Sequence, residues 1–233
     1  MRCVETMDKK RLIKLTTMFA FVDGGLYKRK PHHNAYFSMN MLSKHEDYID
    51  FVKSVLEKIT KVNKTNVKNP CKNPQININT GVHPVFTSIH NRIYIDGYKG
   101  IDPHMLKFID WECLAIMYMC DGSLTFISKD SSNAIKRGSK SDEYRVSLNM
   151  KRLSYGDQLT LKKLFKDRFD LEFNVNYCTA NNKRYYFLSL RRKDLEKFMN
   201  GVSEYIFPSF EYKLIPSVRR TPVLQDDDIV RTV

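Results

Sequence analysis

Two aspartates carry the first chemical signal in this chain. Asp23 follows the run "LTTMFAFV" (residues 15–22), and Asp121 follows "LAIMYMC" (114–120). A glycine comes next in both places, Gly24 and Gly122. A carboxylate at a helix C-terminus opposes the helix dipole, at a cost of roughly 0.3–1 kcal/mol. Burial beside an apolar helix adds desolvation, and two such acids brought together repel. A divalent cation removes all three objections. It neutralises both acids and accepts helix-end carbonyls as further oxygen ligands. Asp23 and Asp121 are therefore candidate metal ligands, provided that their helices pack side by side with both ends together.

The elements needed to place them repeat along the chain. "YFSMNM" (36–41) follows the first acid and "RVSLNM" (145–150) the second. "ININ" (76–79) is answered by "FNVN" (173–176), and "NRIYI" (91–95) by "KRYYF" (183–187). "YKGIDP" (98–103) is answered by "YKLIP" (212–216). Five matches in one order imply two related halves, 1–103 and 104–216, and a tail, 217–233. Asp8 and Asp110 are placed to N-cap helices over 9–22 and 111–120, and Gly24 and Gly122 to end them. Alternation in 36–41, 76–79, 145–150 and 173–176 predicts strands with one apolar and one polar face. Further helices are expected at 45–60, 155–168 and 193–205, with loops at 63–75 and 129–142. Each half reads helix, hairpin, helix, hairpin, helix, which is an α+β unit with one sheet face covered and one open.

Composition narrows the partners. The 233 residues carry a net charge of +13, which favours a polyanion through counterion release. The cysteines, Cys3, Cys71, Cys113, Cys120 and Cys178, form no CxxC pair, so neither a zinc site nor a disulfide framework is expected. A reducing, intracellular setting fits, either a phage-infected bacterial cytoplasm or an organelle matrix. The apolar runs are too short to span a bilayer, so no membrane partner is expected.

The stretches "LAIMYMCDG" (114–122) and "TTMFAFVDG" (16–24) resemble the repeated motif of the LAGLIDADG homing endonucleases. "YIFPSFEYKLIP" (205–216) is similar to the close of the single-chain members, above all those of the mitochondrial omega-intron type. The resemblance implies a pseudo-symmetric monomer of two αββαββα halves, with the motif helices as the central interface and two antiparallel sheets forming a saddle on double-stranded DNA. It implies that Asp23 and Asp121 bind a divalent metal, Mg²⁺ with Mn²⁺ as an alternative, and that Lys99 and Lys213 join them in the active site. The implied chemistry is phosphodiester hydrolysis in intron or gene mobility. The motif's glycine is replaced by Met18 and Ile116, so Ala20, Ala115 and Cys120 must supply the small surfaces for close helix packing.

The open sheet faces would read base edges in the major groove, where Asn suits adenine and Arg suits guanine. The candidates are Tyr36, Ser38, Asn40, Asn77, Asn79 and Arg92 in one half. In the other they are Arg145, Ser147, Asn149, Asn174, Asn176 and Arg184. Lys28, Arg29, Lys30, Lys136, Arg137 and Lys140 are candidate phosphate contacts. The pair His32 and His33 raises a His-based nuclease site, but no second His/Asn set follows at matching spacing. Two other functions suit the same fold. One is an intron maturase acting on RNA, and the other is a DNA-binding regulator that does not cut. The two intact acids favour cleavage over the regulator.

Overall fold

The computed structural model describes residues 7–67, 73–95, 97–132, 135 and 141–218. The first half runs α1 (Lys9–Phe21), β1 (Gly25–Tyr27), β2 (Tyr36–Leu42), α2 (Glu46–Leu56), β3 (Val62–Val67), β4 (Gln75–Thr80) and α3 (Pro84–Ile93). A short ribbon, β5 (Tyr94–Ile95) and β6 (Tyr98–Lys99), and the helix α4 (Pro103–Phe108) lead into the second half. That half runs α5 (Trp111–Asp121), β7 (Gly122–Ile127), β8 (Glu143–Leu148), α6 (Tyr155–Phe169), β9 (Phe173–Ala180), β10 (Lys183–Leu190) and α7 (Leu195–Ser203). A 3-10 turn at Pro208–Lys213 follows.

Helices α1 and α5 begin as the sequence implies. Asp8 accepts a hydrogen bond from the Arg11 N–H at 2.7 Å, and Asp110 accepts one from the Cys113 N–H at 3.0 Å. Both helices sink into the core: Met18, Phe19, Ala20 and Phe21 are fully buried, as are Leu114, Ala115 and Met117. Thr16 and Thr17, polar yet buried, turn their hydroxyls back onto the carbonyls of Leu12 and Ile13, each at 2.8 Å. The helix starts are tied together. Arg11 reaches Glu112 at 2.7 Å, and Lys14 reaches Asp110 at 2.5 Å and Glu112 at 3.0 Å. Starts that touch, on helices that pack side by side, put the two C-termini at one end.

Each half folds its own antiparallel sheet, in the order β1-β2-β4-β3 and β7-β8-β10-β9. Phe37, Met39, Ile76 and Ile78 bury one face of the first sheet, and Val146, Leu148, Phe173 and Leu188 one face of the second. The sheet orders correct the expected pairing of the repeats. "ININ" belongs to β4, whose counterpart by position is β10, whereas "FNVN" opens β9, the counterpart of β3. The segment 91–95 is not a strand of the sheet. Its first part, to Ile93, is the end of α3, started by His83 and Pro84 and anchored through Phe86, Ile89 and Ile93, and Tyr94 and Ile95 form β5 of the short ribbon. The expected loop at 63–75 contains most of β3. No helix among the described residues is long and apolar enough to cross a membrane.

Gly24 and Gly122 are required by space rather than by handedness. Gly122 is extended, at φ −86°, and among the described glycines only Gly97 has positive φ. A Cβ on Gly122 would lie 2.1 Å from Tyr118 Cδ2 and 2.3 Å from the Tyr118 carbonyl oxygen. One on Gly24 would lie 2.4 Å from the Phe37 ring and 2.6 Å from the Phe19 carbonyl oxygen. The strand must leave each helix end at once, so no side chain fits there.

Candidate active site and nucleic-acid interface

The shared helix end gathers five charged side chains. Asp23 follows α1, and Asp121 ends α5. They lie close enough for the charge of Asp121 to act on Asp23. Desolvation by the packed helix ends, and then that like charge, push the Asp23 carboxyl above its usual range. Asp23 also keeps an exposed side, so solvent moderates both effects.

Each helix end has its own lysine. Lys99, on β6, donates to the carbonyls of Val22 at 3.0 Å and of Gly24. Lys213, from the 3-10 turn, donates to the carbonyls of Met119 at 2.6 Å and Gly122 at 2.8 Å. The ammonium groups thus satisfy helix-end acceptors that would otherwise be orphaned. Burial, and then the charge of Arg152, hold Lys99 down at about 8, and burial lowers Lys213 too; Asp23 and Asp121 work in the opposite direction on both.

Arg152 is a member of the site that the sequence did not reveal. It donates through Nη1 to both carboxylate oxygens of Asp121, at 3.1 and 3.3 Å, and through Nη2 to the Phe21 carbonyl at 2.5 Å. It therefore bridges the two motif helices at the acids. Its loop is fixed by the Asn149 N–H, which donates to the Asp121 carbonyl at 2.7 Å. Gln158 adds a second hold, donating to the carbonyls of Met150 and Tyr186 at 2.9 and 3.1 Å. Arg152 lies in a stretch without periodicity, and register counted from the acids puts Ser43 at its place in the first half, so the repeat gave no hint of it.

No group of three or more His, Cys, Asp and Glu side chains suited to a metal occurs among the described residues. The donor set at the helix ends is two carboxylates. Hard oxygen donors in that number suit a cation such as Mg²⁺ that keeps waters and shares phosphate oxygens. Among the described residues the fit is to that kind of site and not to an all-protein cage.

Each acid leads directly into a sheet with one open face. In the first, register sets Ser38 beside Asn79 and Asn40 beside Asn77. The Asn79 amide donates to Asn77, and the Asn77 amide donates to Asn40 at 2.8 Å. Tyr36 shares this face and packs against Tyr27, with ring centroids 5.7 Å apart. β3 adds Asn63 and Thr65, which sequence reading had left in a loop. In the second, Arg145 and Ser147 on β8 share the open face with Asn174 and Asn176 on β9, though Ser147 is buried. Asn149 lies just past β8 and donates to Ser123 Oγ at 3.0 Å. Thr125, Lys183 and Tyr185 join this face by register.

Two candidates fall elsewhere. Arg92 sits in the last turn of α3, away from the sheet. Arg184 has the parity of Tyr186 and Leu188, so it lies on the helix side, over the Tyr177 ring at 5.0 Å. Lys28 donates to Asn91 at 2.9 Å, and Arg29 and Lys30 are exposed in the β1–β2 loop. His32 and His33 stack edge to face in that loop. Lys136, Arg137 and Lys140 lie outside the described residues.

Two packed helices, each ending in an acid and leading into a sheet with one open polar face, repeat a single plan twice in one chain. Residues 21–198 match the model of the LAGLIDADG DNA endonuclease family, and the chain belongs to that family. It is 25% identical over 215 residues to the probable intron-encoded endonuclease 1 of Wickerhamomyces canadensis, covering 88% of this chain and 85% of that one. It is 27% identical over 199 residues to the RecA protein of Mycolicibacterium chitae, covering 84% of this chain and 44% of that one. The chain thus spans less than half the length of that RecA protein. In structure it is similar to the homing endonuclease I-WcaI bound to its DNA recognition sequence, with TM-score 0.68, 20% identity, and 90% and 88% of the two chains covered. It also shares its fold with I-DmoI in complex with DNA and Mn, with TM-score 0.51, 11% identity, and 82% and 97% covered.

Proposed function

We propose that this chain is a site-specific, metal-dependent endonuclease that cuts both strands of a long DNA site and so promotes the movement of an intron or gene. The observation that carries the reading is the meeting of Asp23 and Asp121 at helix ends that each have their own lysine. Asp23 and Asp121 hold the divalent metal, Mg²⁺ or Mn²⁺. When bound, such a metal would supply positive charge to the scissile phosphate and acidity to an attacking water. Lys99 and Lys213 place positive charge near where negative charge develops on the phosphate and the leaving oxygen. The open faces bind in the major groove, and Arg29, Lys30 and the basic 136–140 segment hold phosphates. One chain supplies both halves, so it works as a monomer in an intracellular compartment.

DNA cleavage is favoured over a regulator that only binds, because binding needs no pair of carboxylates forced together at the centre. Intron RNA is a second partner that suits the same fold and the same net charge of +13. The test is cleavage of a plasmid library carrying random inserts, in Mg²⁺ and in EDTA, by the wild type and by Asp23→Asn. Linear product from a defined insert, only in Mg²⁺ and only with the wild type, supports the reading. Equal cutting in EDTA would sink it.

A further inference from the structure

We infer that the two sheets read half-sites of different base composition: the first reads an A·T half-site through amides, and the second reads a guanine through Arg145. The inference rests on the DNA-cleaving function proposed above and names the chemistry of its target.

The strands of the first sheet turn no charged side chain to the open face among the described residues. That is notable in a chain with 39 Lys and Arg. Lys64, a β3 residue, is the telling case. Its parity sends it to the helix side, where it pairs with Glu46 and Asp50 of α2, each at 2.6 Å. The open face instead carries five amides: Asn40, Asn63, Gln75, Asn77 and Asn79.

Amides and guanidinium groups read different bases. An Asn or Gln amide pairs in bidentate fashion with adenine N6 and N7, whereas Arg and Lys pair with guanine O6 and N7. The relay from Asn79 through Asn77 to Asn40 also orients its members. As assigned from this hydrogen-bond network, it presents an acceptor at the Asn79 end and a donor at the Asn40 end. On separate bases, that acceptor suits an adenine N6 and that donor an adenine N7 or a thymine O4. Val67 and Tyr27, on the same face, are 39% and 50% exposed and suit the thymine methyl.

The second sheet differs at its centre. Arg145 lies on the open face opposite Thr125, with its side chain 41% exposed. Glu143 steadies it at 3.4 Å. Asn174 and Asn176 line the same concavity, so this half mixes amide and guanidinium chemistry.

The experiment is selection of bound sequences from a random duplex library with full-length protein in Ca²⁺, repeated with Arg145→Gln and Asn77→Arg. Matching melting curves for the three proteins keep folding out of the comparison. The wild type should recover a bipartite site, with one half A·T-rich and the other holding a preferred guanine. Arg145→Gln should lower that guanine preference about tenfold and leave the A·T half unchanged. Asn77→Arg should introduce a guanine into the A·T half alone. Half-sites of equal G·C content, or an Arg145→Gln profile identical to the wild type, would overturn the inference while leaving DNA recognition intact. No enrichment of any sequence would overturn the DNA reading and this inference with it.

Discussion

Asp23→Asn and Asp121→Asn should agree in activity and disagree in stability. Either change removes one carboxylate from the shared centre, so double-strand cutting should collapse in both. Their folding energetics differ because, of the two, only Asp121 is in an ion pair among the described residues. Its carboxylate takes Arg152 at 3.1 Å, with the Arg152 and Asp121 side chains 28% and 14% exposed. A buried hydrogen bond to a charged group contributes about 1.5–3 kcal/mol, and an exposed ion pair about 0–1 kcal/mol. The exposure of this pair falls between those limits, so losing it costs about 1–2 kcal/mol. For a chain of this length that lowers Tm by about 2–8 °C.

Asp23 has no ion pair among the described residues and sits against both a helix C-terminus and a like charge. An amide there relieves about 0.3–1 kcal/mol of dipole opposition alone, worth a rise of about 1–4 °C. The pH dependence follows from the raised carboxyl. Between the ordinary and the raised value the folded state binds more protons than the unfolded one, so stability falls as pH rises through that window. The cost is fully present at neutral pH and absent below the ordinary carboxylate range. The gain from Asp23→Asn should therefore show at neutral pH and vanish near about pH 3. Calorimetry in EDTA at both pH values, beside plasmid cleavage in Mg²⁺, reads every part. Equal Tm shifts of one sign, or near wild-type cutting by either variant, would refute the reasoning.

Lys213→Met should lower stability by about 1.5–3 kcal/mol in a denaturant melt, because Met119 and Gly122 lose a charged donor, and should abolish cutting as well. Gly122→Ala should cost about 1–3 kcal/mol or prevent folding, since its Cβ would lie 2.3 Å from the Tyr118 carbonyl oxygen; a wild-type melting temperature would count against that close approach. DNA affinity should fall steeply between low and physiological salt, as many phosphate contacts require, and a flat response in a gel-shift series would be the contrary result.

The motif helices were legible because the chain spells the signal twice and because both ends of each helix are marked, by Asp8 and Asp110 at the start and by Asp-Gly at the finish. Strand faces were legible for the same elementary reason: a period of two fixes which side chains share a face. It does not fix where a strand lies in its sheet. "ININ" and "FNVN" share a pattern and were matched on it, yet β4 is an inner strand and β9 an edge. Segment 91–95 was matched to 183–187, yet only Tyr94 and Ile95 are strand, in the β5–β6 ribbon, while the helical spacing of Phe86, Ile89 and Ile93 lay just upstream. Arg184 was read without its parity, which only the pairing with Thr179 settles. Arg152 had no pattern at all. Its place depends on a loop pinned by Asn149 and Gln158, and tertiary contacts of that kind leave no trace in local sequence.

A single geometric demand accounts for the residue types at the centre. Two helices packed side by side with common polarity bring two sets of unpaired carbonyls to one point. Lysines from β6 and from the C-terminal 3-10 turn answer those carbonyls. The chain must then turn into a strand immediately, to start its sheet, and only glycine leaves room for that turn. The acids are the one choice that folding does not ask for. Asp23 sits where burial and a like charge both oppose its ionisation, and Asp121 is tolerated through Arg152. Lysine, glycine and arginine at this point serve the fold; the carboxylates burden it. A residue type that the fold resists, placed twice at equivalent positions, is what the proposed metal-dependent chemistry would require, and it supports placing that chemistry at this centre.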